Sequence, residues 1–220
     1  TFDLNLSKNN KEMARTEEVF LVPPETKLEA SLKLVHMLGN FPDTVSGFTA
    51  PDADISVMAD ISTLQESAIR KRFEKAAAGG VLILGNVSEE DARFLNSLKV
   101  MPGELSCFRS SGNAYGSFHY ALGGPEFKDL PSQCILDQTY ADVMPYWSLD
   151  AMPNLTAAAG SVNLQNSGQG KAKLRWGADI ASLPVGKGRV IVYQFDIFGK
   201  LGKNALADAL FANLIATVAK

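Results

Sequence analysis

The stretch Ala77-Ala78-Gly79-Gly80-Val81-Leu82-Ile83-Leu84-Gly85-Asn86-Val87-Ser88 decides the fold class. Gly79-Gly80 stops a helix whose apolar positions Leu64, Ala68, Ile69, Phe73 and Ala77 share one face. Residues 81–84 are apolar at every position, as expected of a central strand covered on both faces of a parallel sheet. Ser88 with Asp91 three residues on makes a capping-box pattern, Asp standing for Glu, that opens a helix carrying Ala92, Phe94, Leu95 and Leu98.

The same rhythm extends in both directions. Toward the N-terminus, residues 54–60 read as a strand. Before them, residues 19–22 read as a strand stopped by Pro23-Pro24. Thr26 is then expected to cap a helix with Leu28, Leu32, Val35 and Leu38 on one face, ended by Gly39-Asn40. Three βα units in succession predict a parallel sheet with right-handed crossovers. Near the C-terminus, a tight turn at residues 184–188 leads into a strand over 189–196. Asn204 caps a last helix carrying Leu206, Leu210, Phe211, Leu214, Ile215 and Val218. Burying those side chains is worth about 10 kcal/mol gross. Asn213, at the border of that face, is expected to satisfy a backbone group.

Residues 101–183 lack this rhythm. Short strands over 118–122, 133–136, 155–162 and 173–176 are joined by turn-rich sequence, with no helix of three turns. The fold class is therefore α/β: a three-layer, doubly wound, mostly parallel sheet in one domain over residues 1–220, with a β-rich insertion or sheet extension at 101–183.

Composition narrows the partners. Of 220 residues, 46% are apolar and 20% charged, enough for a core without metals or multiple disulfides. The formal charge of -3 supplies no field for gripping a phosphate backbone, so nucleic acid is not an expected partner. No apolar run reaches the roughly 18–20 residues that span a bilayer, so no membrane partner is expected. The sequence begins at Thr1, without Met or a basic-then-apolar leader, which suggests a processed product or an excised piece of a longer chain.

Candidates for chemistry are few. Cys107 and Cys134 either pair across a loop of about 27 residues, worth roughly 3–4 kcal/mol, or remain reduced and buried. With only His36 and His119 besides, and no ligand spacing, no metal site and no cofactor is expected. Ligands of doubly wound sheets sit beyond the carboxyl ends of the strands. There the loops carry Pro23-Pro24-Glu25, Asp60-Ile61-Ser62, Asn86-Val87-Ser88 and Asp196-Ile197-Phe198, and no nucleophile stands at the turn of Asn86. Asp60 and Asp196 could face each other as paired carboxylates, or cap turns. Arg109 beside Cys107 could lower its thiol pKa, with His119 as base, the enzyme alternative. Packing roles for Cys107, His119 and His36 are the simpler reading. Gly79-Gly80 and Gly186-Lys187-Gly188 lack the pattern of phosphate loops. Tyr140, Tyr146, Trp147 and Trp176, with Asp137, Asp142 and Asp150, could stack on sugar rings and bond their hydroxyls, or anchor the insertion to the body. The substrate-binding candidates are Tyr146, Trp147, Trp176 and Asp142.

Residues 73–84 resemble the helix, double glycine and strand of class I glutamine amidotransferase-like (flavodoxin-like) modules. Phe127-Lys128-Asp129-Leu130-Pro131, the run from Gly186 to Asp196, and Leu210-Phe211-Ala212-Asn213-Leu214-Ile215 resemble a module near the C-terminal end of bacterial glycoside hydrolases of family 2, the β-galactosidase-like enzymes. Amidotransferases carry a Cys in a GxCxG elbow and a downstream His-x-Glu pair. This sequence has Leu84-Gly85-Asn86-Val87-Ser88 instead, and no His after His119. The resemblance therefore implies a non-catalytic accessory domain of a carbohydrate-active enzyme, serving domain packing, oligomer contacts or the shaping of a substrate cleft. Its partners would be a catalytic barrel of the same parent chain, carbohydrate, or further copies of itself, in a periplasmic or extracellular setting.

Overall fold

The computed structural model describes residues 2–8, 11–18, 27–48, 50–110, 117–131, 134–166 and 172–219. β1 (Phe2–Lys8) and β2 (Lys11–Glu18) pair antiparallel as a sheet of their own. Then come α1 (Lys27–Leu32), β3 (Val35–Leu38), the one-turn α2 (Asp43–Ser46), β4 (Ile55–Met58), α3 (Glu66–Ala77), β5 (Val81–Gly85) and α4 (Glu89–Leu98). The β-rich part comprises β6 (Cys107–Arg109), β7 (Ser117–Ala121), β8 (Trp147–Leu149), β9 (Thr156–Asn166) and β10 (Ala172–Val185). β11 (Gly188–Tyr193) and α5 (Ala205–Val218) close the chain.

β3, β4, β5 and β11 lie side by side and parallel. β10 continues the sheet antiparallel to β11. At Ala178 the sheet branches, because that residue pairs with Gly160 of β9 on one edge and Leu149 of β8 on the other. β7 extends the first branch and β6 the second. The protein is thus a mixed α/β fold with a largely parallel central sheet.

Alternation along the central strands feeds two cores. Ile55, Val57, Ile83, Ile191 and Tyr193 pack with Leu210, Phe211 and Leu214 of α5 on one face. Met58, Leu82, Leu84, Val190 and Val192 pack with Ile69 and Phe73 of α3 and Leu95 of α4 on the other. The uniformly apolar run at 81–84 has this cause: both faces of β5 are buried. Ser88 and Asp91 complete their capping box at α4. Asn204 caps α5 by accepting from the N–H groups of Leu206 and Ala207, both at 3.0 Å. Asn213 donates to the carbonyls of Lys128 (2.8 Å) and Glu126 (3.3 Å), pinning the 3-10 turn Pro125–Phe127 against α5.

The helix expected up to Leu38 is corrected. α1 ends at Leu32, and Val35–Leu38 is β3, paired with Ile55–Met58 of β4. Four residues are too few to display a period of two, and Leu28, Leu32 and Val35 fit a helical face by coincidence of spacing. Gly39 ends a strand and caps no helix. At φ +115° it passes so close to the Ala59 carbonyl that a Cβ would collide with it. The strand expected over 19–22 and the cap at Thr26 lie outside the described residues.

The described residues of 101–183 hold β6 to β9 and most of β10, with 3-10 turns as their helical elements. Two details differ. Of residues 134–136 only Ile135 pairs, through a single bridge to Tyr120, and Cys134 adopts φ 61°. The short strand expected at 173–176 is part of the 14-residue β10, which runs on to pair with β11.

Candidate functional site

The carboxyl edge of the parallel strands is where this architecture binds ligands. Two residues there adopt left-handed backbone: Asp60 after β4 (φ 51°) and Asn86 after β5 (φ 50°). Asn and Asp tolerate this region better than other side chains. The Asn86 N–H donates to the Tyr193 carbonyl at 3.0 Å, holding the turn against the end of β11. Its Nδ2 donates to Asp196 Oδ1 at 3.1 Å, and Asp196 Oδ2 pairs with Lys200 Nζ at 2.6 Å. Lys200 also donates to the Asp142 carbonyl. Gln194, buried beneath the turn, donates from Nε2 to the Val87 carbonyl at 3.0 Å. Among the described residues, Asn86 Oδ1 and Gln194 Oε1 are buried without a hydrogen-bond partner.

Asp60 and Asp196 do not pair. Asp91 Oδ1 accepts from the Ser62 N–H at 2.8 Å, which ties the turn after Asp60 to α4, while Asp196 belongs to Asn86 and Lys200. The carboxyl edge therefore joins the Asn86 amide nitrogen, the Asp196 carboxylate and the Lys200 ammonium, and among the described residues leaves the Asn86 and Gln194 amide oxygens without a partner. The set holds neither a thiol nor a hydroxyl at the turn of Asn86, and its Asp196 carboxylate and Lys200 ammonium are paired with each other.

Cys107 and His119 do not form a couple. Cys107 is a free, buried thiol on β6 and Cys134 a free, exposed one. Burial, reinforced by Glu89, Asp150 and Asp91, pushes the Cys107 thiol up to about 12, against the lowering expected from Arg109. That guanidinium lies instead over the Tyr146 ring, 4.4 Å from its centroid. His119 points into a buried network that the sequence reading missed. His119 Nδ1 lies 2.8 Å from Asp179 Oδ2, and Ser148 Oγ donates to Asp179 Oδ1. Ser148 and Ser161 hydroxyls meet at 2.7 Å, and Asn163 Nδ2 donates to Ser161 Oγ at 3.1 Å. The donors thus run from Asn163 through Ser161 and Ser148 to Asp179.

Local structure builds this network. Asp179 is the extra residue of a bulge between Ala178 and Ile180, which re-aims its side chain. Gly177 lets the serines meet across β10: a Cβ there would lie 2.6 Å from Ser148 Cβ and 2.8 Å from the Phe108 ring. Burial raises the Asp179 carboxyl pKa, while the bonds from His119 and Ser148 pull it back. In a hydrolase triad the imidazole sits between hydroxyl and carboxylate. Here the carboxylate sits between hydroxyl and imidazole, so the Ser148 hydroxyl meets Asp179 and not the His119 ring, and the network ties β7, β8, β9 and β10 together. The one sequence signal was a lone acid within Gly177-Ala178-Asp179-Ile180-Ala181.

The sugar-stacking candidates are divided. Tyr146 and Trp147 meet edge to face, ring centroids 5.4 Å apart, with Trp147 packed partly into the core and Arg109 over Tyr146. Trp176 stands on β10, 62% exposed, opposite Val162. Asp142 is exposed in the 3-10 turn Gln138–Val143. Among the described residues no hydrogen bond or ring contact joins Trp176 or Asp142 to the Tyr146–Trp147 pair. Of the others, Tyr140 is buried and donates to the Pro131 carbonyl, Asp137 accepts from the Thr139 N–H, and Asp150 binds Arg175 through both oxygens. His36 lies on β3, where burial first, then Arg72 and Lys75, lower its pKa.

A cavity of ≈ 680 Å³ opens at the opposite, amino ends of the strands, lined by Lys33, Asp54, Gly80, Lys187, Arg189 and Ala219 among others. The last turns of α1, α3 and α5 reach it, and the Lys33 ammonium there pairs with Glu29 at 2.7 Å. Among the described residues no group of three His, Cys, Asp or Glu side chains is placed to hold a metal ion, and no helix is long and apolar enough to cross a membrane.

No family model matches the chain, and no curated protein matches it. Among solved structures it is similar to two cytoplasmic proteins of Salmonella typhimurium. For STM1381 from strain LT2, identity is 14% and the TM-score 0.49, covering 99% of this chain and 95% of that one. For STM3548, identity is 12% and the TM-score 0.45, covering 99% and 94%. It is also similar, at 15% identity and TM-score 0.41, to a cold-adapted β-galactosidase from Rahnella sp. R3, over 75% of this chain and 22% of that one.

Proposed function

We propose that this chain is a non-catalytic accessory domain of a β-galactosidase-like carbohydrate-active enzyme, built on a doubly wound, amidotransferase-like sheet. It works through domain packing, oligomer contacts or the shaping of a substrate cleft beside a catalytic barrel of the same parent chain. One observation carries the non-catalytic reading. The left-handed turn after β5, where amidotransferase-like modules place their cysteine, holds Asn86, and its amide is spent on Asp196. The glycosidase context is supported by the resemblance of residues 127–131, 186–196 and 210–215 alone.

The test is a turnover assay on the purified chain with glutamine and with chromogenic galactosides and glucosides. The expected result is no product above the protein-free control. Turnover that co-purifies with the chain and disappears in Cys107→Ala or Asn86→Ala would overturn the reading.

A further inference from the structure

The extension formed by β7, β9 and the first half of β10 is built inside out. Solvent-facing antiparallel strands ordinarily turn polar residues outward and apolar ones inward. Here the inner side carries His119, Ser161 and Asn163, all buried and joined to Ser148 and Asp179. The outer side is apolar. Phe118 lies opposite Val162, Val162 opposite Trp176, and Leu164 opposite Leu174. Phe118 is 61% exposed, Trp176 62% and Leu174 56%. Ile135, bridged to Tyr120 at the outer edge of β7, adds a further side chain at 57%.

We propose that this outer face is a self-association surface, on which the same face of a second copy of the chain packs to form a two-sheet sandwich. Two arguments select a second copy. An aromatic side chain carries about 150–250 Å², so these residues leave on the order of 500 Å² of apolar surface in one patch. A standard interface takes roughly 800 Å² per partner, about 65% of it apolar between identical subunits, which is the same amount. The five residues of these pairs, and Ile135 beside them, also include no Asp, Glu, Lys or Arg. A two-fold contact sets a face against itself, and an uncharged face does so without like-charge repulsion. A sugar would need donors and acceptors beside the indole, and Val162, Leu164 and Leu174 offer none.

The inference deepens the accessory-domain reading by naming its contact surface. It is read by mass and not by turnover, so the two can fail separately. Sedimentation equilibrium of the full chain from about 1 to 200 µM should give a dimer. Trp176→Lys and Leu174→Lys, each with an unchanged far-UV circular dichroism spectrum, should weaken it by about tenfold or more. A wild-type chain that stays monomeric throughout overturns the proposal, as does a dimer whose affinity neither folded variant changes. A monomer that binds galacto-oligosaccharides by calorimetry and loses them in Trp176→Lys assigns the face to carbohydrate instead. A monomer that co-sediments with phosphatidylcholine vesicles assigns it to lipid.

Discussion

Asn86 and Cys107 show how one position in the backbone decides what a side chain can do. Asn86 occupies a turn whose φ most residues avoid, and its amide fastens β5 to the chain beyond β11 through Asp196. Cys107 has reactive chemistry but no access to it. Burial first, then Glu89 of α4, Asp150 just after β8 and Asp91 of α4, raise its pKa to about 12, while the basic neighbour in sequence, Arg109, serves Tyr146. Adjacency along the chain was legible; which charges surround a thiol depends on packing between distant segments. Native protein treated with iodoacetamide at pH 8 should therefore be labelled at Cys134 and spared at Cys107, as shown by peptide mass spectrometry. Labelling of the second thiol should require denaturant, and prompt modification of both in the native state would contradict the burial.

Among the elements, β10 carries the most consequence. Its second half pairs with β11 and its length with β9, and Gly177 allows the sheet to coil so that Ser148 and Ser161 touch across it. Gly177→Ala places a methyl within 2.6 Å of Ser148 Cβ, with Phe108 at 2.8 Å on the same side. The expected cost is about 1–3 kcal/mol, read as a lower urea midpoint at constant m-value. The βα elements were legible because their periodicities are long and their caps are local: Ser88 with Asp91, and Asn204 at α5. The polar network was not, because its members come from four strands and only Asp179 broke a pattern in sequence. β3 was missed for a different reason, being too short to show its period and preceded by residues that continue a helical one.

For the whole molecule, the shared strands predict a single cooperative unit. Both tryptophans, Trp147 and Trp176, lie in the β-rich part, whereas α3, α4 and α5 pack on the parallel strands. Tryptophan fluorescence and far-UV circular dichroism thus report on different halves of the sheet. Their urea transitions should coincide, because β10 belongs to both; a separate, earlier fluorescence transition would show that the β-rich part unfolds alone. The α/β class could be read from residues 54–98 and 184–218, while the branch at Ala178 could not, since pairing partners leave no local trace.

The pairing of β5 with β11 also bears on the order of folding. Val81 meets Arg189, so the central parallel contact closes roughly a hundred residues of chain before it returns any stabilisation. The β9–β10 pairing, by contrast, joins neighbours in sequence. Once formed, that hairpin delivers β11 on the far end of β10 through a two-residue turn, and the long closure becomes the docking of a preassembled edge.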